Sequence, residues 1–301
     1  MFIYEIQKQK VKISASYGYS DIIQIPEEID GYPVTELFPY SFSFQMQKEE
    51  SELPRIAGEN VTEIFLPSTL EKIGNYAFYN CSHLKKIHLY STISDIGTGV
   101  FNGCRELEEL RIQIKENSRS CLKEILSEIR NKVLVWYESK QGKAKLIFPE
   151  YFEEAIENTP ARILSTQTYG CGHRYRYCFD HTKFSFREYD KLFSYMKEQE
   201  NEKLVIELAL ARLYYPLELT EQAQKQYTEY IKDVFLKAAK MILKTEENDQ
   251  ILWFAEEFLT DQKKLEEVIE LINQDQNQTG LSILMDFRHK NFKGRVKKFE
   301  L

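Results

Sequence analysis

In three short stretches apolar residues occupy every second position: "EIFL" from Glu63, "KIHL" from Lys86 and "ELRI" from Glu109. Such alternation predicts strands with Ile64/Leu66, Ile87/Leu89 and Leu110/Ile112 turned toward a core. The stretches are copies of one unit at an offset of 23 residues. At that offset Leu70 recurs as Ile93, Ile73 as Ile96, Gly74 as Gly97, Phe78 as Phe101, Cys81 as Cys104 and Leu84 as Leu107. A fixed period of about 20–29 residues predicts a solenoid, in which each coil buries its apolar side only by stacking on the next. Phe78 and Phe101 are then expected to stack as an inner aromatic ladder. A divergent earlier coil follows the same pattern: Ile23, Ile25 and Pro26 match Ile64, Leu66 and Pro67, while Leu37 and Phe42 match Ile73 and Phe78. The polar, turn-prone "SFQMQKEESELPRIAGEN" between them reads as an inserted loop. The opening "FIYEI…VKISASY" reads as a strand pair capping the first coil.

Beyond the repeats the pattern changes twice. Leu122, Ile125, Leu126 and Ile129 stand at helical spacing and precede a β-rich "VLVWY". Phe152, Ala155 and Ile156 predict a short amphipathic helix, and "HRYRYCF" alternates as a strand with His173, Tyr175, Tyr177 and Phe179 on one face. From Phe186 onward apolar residues recur three and four apart in six segments, one of them running unbroken through "TEQAQKQYTEYIKDVFLKAAKMIL". Pro216 and polar joints separate these segments, with Thr220 and Thr260 as expected caps. The expectation is an α+β protein: a leucine-rich repeat solenoid over residues 1–115, a mixed connector over 116–185 and an all-helical array over 186–301.

The strings "IPEEIDGYPVTEL", "LPSTLEKIGNYAFYNCSHLKKIHL" and "ISDIGTGVFNGCRELEEL" resemble the BspA-like leucine-rich repeat family of bacterial proteins. Leu66–Pro67, Ile73–Gly74, Ala77–Phe78, Cys81 and Leu84 carry the family's defining residues; in the next repeat Tyr90 replaces the proline and Val100 the alanine. The resemblance covers about residues 20–115. It implies a noncatalytic scaffold for binding or adhesion, and many members are secreted or surface-displayed. Two later blocks, "LIFPEYFEEAIENTPARI" and "TGLSILMDFRHKNF", are similar to C-terminal regions of some members and imply no activity.

Composition narrows the function classes. A formal net charge of −7 argues against a nucleic-acid ligand, which needs a concentrated basic face. The basic end bearing Arg288, Lys290, Lys293, Arg295, Lys297 and Lys298 reads as a solvated tail. The start carries no basic leader followed by an apolar stretch, and no run reaches the ~18 apolar residues of a membrane span. Five cysteines, an odd number, fit a reduced cytoplasmic protein, with cell-surface display implied by the resemblance as the other location. Cys81 and Cys104 fall on adjacent coils within disulfide reach and read as a ladder of buried thiols.

The densest chemistry is "YGCGHRYRYCFDH" from Tyr169. Its Cys171, His173, Cys178 and His181 are spaced C-x-H-x4-C-x2-H, unlike the two close ligand pairs of structural zinc sites. On a strand Cys171 and His173 share a face that Cys178 opposes. No metal and no cofactor is expected. Cys171 with His173 could form a thiol nucleophile, yet no orienting third group or oxyanion site is visible. "GCG" lacks the further glycine and lysine of a phosphate loop. Glu153, Glu154 and Glu157 read as a solvated face rather than paired acid and base.

The functional expectation therefore rests on the solenoid. Outward strand positions form two columns at the repeat offset, Phe65, His88 and Arg111 in one, Glu63, Lys86 and Glu109 in the other. Aromatic and arginine side chains are favoured interface anchors, which marks the first column as the contact surface of a protein-interaction scaffold. A surface adhesin and a thiol-dependent enzyme using Cys171 and His173 are the rival readings.

Overall fold

The computed structural model describes residues 1–44, 51–115, 120–158, 163–245, 247–275 and 277–292. Part of the inserted loop (45–50) and the basic residues Lys293, Arg295, Lys297 and Lys298 lie outside them.

The chain begins with an antiparallel hairpin of β1 (Phe2–Gln7) and β2 (Lys10–Ser16). Lys8 and Gln9 between them both take positive φ, the backbone twist that a two-residue hairpin turn requires. The chain then winds. β3 (Ile22–Gln24), β4 (Glu28–Ile29) and β5 (Tyr32–Leu37) make the first coil. β6 (Glu63–Phe65) and β7 (Lys72–Ile73) make the second, and β8 (Lys86–Tyr90) and β9 (Asp95–Ile96) the third. β10 (Glu109–Gln113) opens the fourth, whose return leg is the helix α1 (Leu122–Glu128) instead of a strand. β11 (Val133–Ser139) opens a last turn, and β12 (Gly142–Phe148) folds back on it antiparallel.

Two sheets result, one in the order β12-β11-β10-β8-β6-β3 and the other β1-β2-β5-β7-β9, with β4 beside β5. The 23-residue offset becomes parallel in-register pairing: Ile64 faces Ile87, and Ile87 faces Leu110. The divergent coil joins in the same register, with Ile23 against Ile64 and Leu37 against Ile73. All the inward strand residues named above are buried, as is Val135 in the next strand.

The aromatic ladder has three rungs, Phe42 on Phe78 at 5.3 Å and Phe78 on Phe101 at 5.7 Å, with rings within 13° of parallel. Beside it the Cys81 thiol donates to the carbonyl of Phe42 and the Cys104 thiol to that of Phe78, so each sulfur stitches its coil to the one before. All five cysteines are free and buried. The paired glycines explain how closely the coils nest. A Cβ on Gly74 would come within 2.5 Å of the Pro39 backbone nitrogen, and one on Gly97 would strike the backbone of Asn75.

Between the second and third coils the turn backbone forms its own ladder, Tyr76 N–H to Thr98, Phe78 N–H to Val100 and Asn80 N–H to Asn102. The helical return leg cannot continue it. Instead Glu128, at the end of α1, accepts from Gly99 N–H at 2.7 Å and Phe101 N–H at 3.0 Å. A carboxylate thus stands in for the missing carbonyls.

Two expectations for the connector need correction. Residues 152–158 are not a helix but β13 (Phe152–Asn158), paired with β14 (Ile163–Tyr169). An isolated helix of this length is marginal, whereas a β-rich partner is available and Phe152 stacks on its cross-strand neighbour Tyr169 at 4.6 Å. "HRYRYCF" is not a strand: it forms the single helical turn α2 (Gly172–Tyr175), followed by a small hairpin of β15 (Phe179–Asp180) and β16 (Lys183–Phe184). The buried Arg176 accounts for this. Its guanidinium donates to the carbonyls of Ile129, Asn131, Pro149 and Gly172 at 2.6–2.9 Å and lies over the ring of Tyr151. Desolvation lowers its pKa to about 10, and these carbonyls keep the buried charge hydrogen-bonded.

The remaining helices are α3 (Phe186–Lys191), α4 (Phe193–Gln199), α5 (Glu202–Tyr214), α6 (Glu221–Asp233), α7 (Phe235–Ile242), α8 (Asn248–Phe258), α9 (Gln262–Asp275) and α10 (Gln278–Asn291). The segment expected as one helix breaks at Val234, which has φ −105° and ψ 27°, between α6 and α7. Thr220 caps α6 through Ala223 N–H, as its position suggested, but Asp261 rather than Thr260 accepts at the start of α9, from Lys264 N–H. The chain divides into two compact units, Met1–Asn201 with Tyr215–Leu219, and Glu202–Tyr214 with the helices from Thr220 onward. Among the described residues no helix is long and apolar enough to cross a membrane.

Within the first unit the outer strand β12 is closed by Tyr189. Its hydroxyl donates to the Ile147 carbonyl at 2.7 Å and accepts from the Ile147 N–H at 2.8 Å. Around it Phe184 meets Tyr137, Phe148 and Phe186.

Two measurements test this account of stability. Phe101→Ala should destabilise the fold by about 3–5 kcal/mol through lost transfer energy and an unfilled cavity. Glu128→Ala should cost about 1–3 kcal/mol by orphaning two backbone donors, with Glu128→Gln costing less because one acceptor survives. Urea unfolding reads both, and a wild-type midpoint for Glu128→Ala would show that the carboxylate does not terminate the ladder.

Candidate functional site

Because register is locked, the outward residues of successive strands fall in straight columns. Gln24, Phe65, His88, Arg111 and Trp136 are consecutive cross-strand partners. The second column runs Ile22, Glu63, Lys86, Glu109 and Leu134. The two expected columns therefore exist as contiguous rows on the sheet face.

Their side chains interlock. The rings of Phe65 and His88 stack with centroids 3.9 Å apart, and His88 Nε2 lies 2.7 Å from Glu63 Oε1. Arg111 donates from Nε to Glu109 at 2.6 Å, and its guanidinium carbon lies 5.6 Å from the centre of the Trp136 ring. Both acids of the second column thus turn to cationic or ring-nitrogen groups of the first. Lys86, between those acids in register, makes no ion pair among the described residues. A groove of about 680 Å³ follows this face, lined by Phe65, His88, Tyr90, Arg111, Gln113 and Glu138 among others. At its rim Glu27 accepts from Ser68 and Thr69; partial burial pushes its pKa up, and these hydrogen bonds outweigh that to hold it below the usual carboxylate value.

Trp136 and its surroundings were not identified from the sequence. The helical return leg lengthens the offset from Arg111 to Trp136 to 25, so the repeat period skips it. The alternation of buried Val133, Val135 and Tyr137 was the available signal, since it turns Trp136 outward. Lys145, on β12, is the cross-strand partner of Trp136, and Tyr215 meets the same ring edge-on at 5.0 Å.

Matched to a family model, residues 57–131 correspond to the BspA-type leucine-rich repeat region, in 6 copies. These residues are leucine-rich repeats of the BspA type. The BspA-type match reaches past the last regular strand pair and through α1. Among solved structures, a leucine-rich cell surface protein from Faecalibacterium prausnitzii A2-165 is 21% identical, over 38% of this chain and 35% of its own, with a TM-score of 0.30. A leucine-rich repeat protein from Bacteroides ovatus ATCC 8483 is 25% identical, over 38% and 30% of the two chains, with a TM-score of 0.29. The leucine-rich repeat protein of T. pallidum is 19% identical, over 36% and 68%, with a TM-score of 0.24. This chain thus spans about a third of the length of the first two structures. No curated protein matches the chain.

The cysteine–histidine cluster is dispersed by the fold. Cys171 and Cys178 are buried, His173 sits between the rings of Tyr151 and Tyr177, and the His181 side chain is 97% exposed. Among the described residues no three His, Cys, Asp or Glu side chains gather as metal ligands would. Burial pushes the Cys171 thiol well up, reinforced by the hydrogen bond and negative charge of Glu200. Burial also pushes Cys178 up to about 12, with Glu188 and Asp190 adding to it. A thiol held protonated is a poor nucleophile. Glu153 pairs with Arg130 at 3.0 Å, and Glu154 accepts from the Tyr169 hydroxyl; the side chain of Glu157 lies outside the described residues.

The raised thiols predict a pH profile. Below pH about 9 folded and unfolded chains both hold the thiol proton, so stability does not respond. Above it the unfolded chain ionises first, and stability falls until the folded thiols of Cys81, Cys121 and Cys178 ionise near about 12. The slope should be about 1.4 kcal/mol per pH unit for each such thiol. Urea unfolding at pH 7.5 and pH 10 measures it. A thiol reagent at pH 7.5 should label the native chain slowly and all five cysteines only after unfolding; rapid native labelling of Cys171 would revive the nucleophile reading.

Proposed function

We propose that this chain is a noncatalytic scaffold that recognises a protein partner through the row Phe65, His88, Arg111 and Trp136. The observation that carries the reading is the continuity of that row. Four neighbouring strands present aromatic or guanidinium groups in direct register, two of them already stacked at 3.9 Å. A row fixed by backbone pairing loses little freedom when a partner docks. Membership of residues 57–131 in the BspA-type repeats supports a role in protein interaction or surface binding, as does the extended face that solenoids offer. The net charge of −7 favours a protein over nucleic acid. Burial and protonation of Cys171 count against the thiol-enzyme alternative. An adhesive role would use the same face. Five buried, unbridged thiols suit a reducing compartment, which supports a cytoplasmic place over a surface one.

The test is affinity capture from lysate with the intact chain and with a Phe65→Ala, His88→Ala, Arg111→Ala variant whose melting matches wild type. Hot-spot truncations commonly cost ≥ ~2 kcal/mol each, so a partner recovered by the wild type should be lost by the variant. Equal recovery would place the contact surface off this row.

A further inference from the structure

One end of the row carries an unbalanced positive charge in an acidic chain. Lys145 faces Trp136 across the β11–β12 pair, and its ammonium lies 5.3 Å from the centre of the ring. Lys143, two residues before it, lies 5.9 Å from the same ring and 4.9 Å from that of Tyr215. Arg111 approaches at 5.6 Å from the β10 side. Three cations thus converge on one indole. Arg111 has Glu109 on its Nε, leaving its terminal nitrogens uncommitted to that acid. Lys143 and Lys145 make no ion pair among the described residues, although Glu138 is the register partner of Lys143. An indole face attracts the charge of an ammonium but accepts few of its hydrogen bonds, so its N–H donors remain for a ligand.

At the β3 end of the row the charges have the other sign. Glu27 lines the groove, and Glu63 flanks the Phe65–His88 stack. The five parallel strands from β3 to β11 span about 19 Å at ~4.8 Å each, about six residues of extended chain. A polyanion laid along that length would meet Glu27 and Glu63. A peptide with its acidic residues at one end would meet carboxylates only where cations wait.

We propose that Arg111, Lys143 and Lys145 around Trp136 form a seat for the carboxylates of an acidic peptide segment of the partner, a deepening that rests on the scaffold reading above. The row supplies aromatic contact, and the seat fixes which way the segment runs and which partners are admitted.

The experiment titrates the full chain into a fluorescein-labelled eight-residue peptide, three glutamates at one end followed by five uncharged residues, and follows polarisation at low and moderate salt. Saturable, salt-sensitive binding is expected, weakened about tenfold or more in a Lys143→Gln, Lys145→Gln variant. A Lys225→Gln, Lys263→Gln control, which removes two exposed lysines elsewhere, should bind as wild type. Absence of saturable binding, or equal loss in the control, overturns the seat. So does tighter binding of oligothymidylate or of phosphatidylserine vesicles than of the peptide. Capture of the lysate partner separates this proposal from the one it rests on. A partner kept by Lys143→Gln, Lys145→Gln but lost by Phe65→Ala, His88→Ala, Arg111→Ala removes the acidic seat and leaves the scaffold standing.

Discussion

Parallel strands of successive coils exchange backbone hydrogen bonds at a spacing of about 4.8 Å, and every side chain riding on them inherits that spacing. Inward, it sets Phe42, Phe78 and Phe101 at stacking distance and brings each of the thiols of Cys81 and Cys104 to the carbonyl of the coil before. Outward, it lays Phe65 on His88 and Arg111 beside Trp136. Core and candidate binding row are two faces of one ladder, so a slip of register would cost both.

A ladder of this kind must be stopped at its ends, because a stack of coils otherwise exposes unpaired backbone. Different chemistry stops it in different places. The β1–β2 hairpin lies against β5 at one end of its sheet. Glu128 takes two turn donors that a further regular coil would have taken. Tyr189 occupies both backbone groups of Ile147 on the outer strand, and Arg176 gathers carbonyls from the segments joining α1, β11, β12 and α2. The side chains that seemed richest in chemistry, those near Cys171, belong to this closing apparatus.

How much of this was legible in the sequence follows the range of the contacts concerned. Ile23, Leu37 and Phe42 could be aligned with Ile64, Ile73 and Phe78 despite the insertion, because repetition records long-range pairing as a local pattern. The conformation of residues 172–176 could not be read this way. It answers to carbonyls as many as 47 residues away, and alternation of aromatic and basic residues imitates a strand. Residues 152–158 found a partner strand that their own helical spacing did not announce. At the candidate site, Phe65, His88 and Arg111 were visible as a period. Trp136, Lys145 and Tyr215 were not, since a helix shifts the first out of phase, an antiparallel strand delivers the second and a distant segment the third.

The antiparallel return of β12 has a bearing on how such a protein can change size. Every other junction in this sheet is parallel, so a duplicated unit could be spliced between two coils and find matching edges above and below. Beyond β12 an added unit would meet a strand of the wrong direction whose Ile147 groups are already occupied. Lineages descended from this architecture should therefore gain or lose repeats from the middle, keeping the tryptophan end as a fixed terminus while the row before it lengthens or shortens.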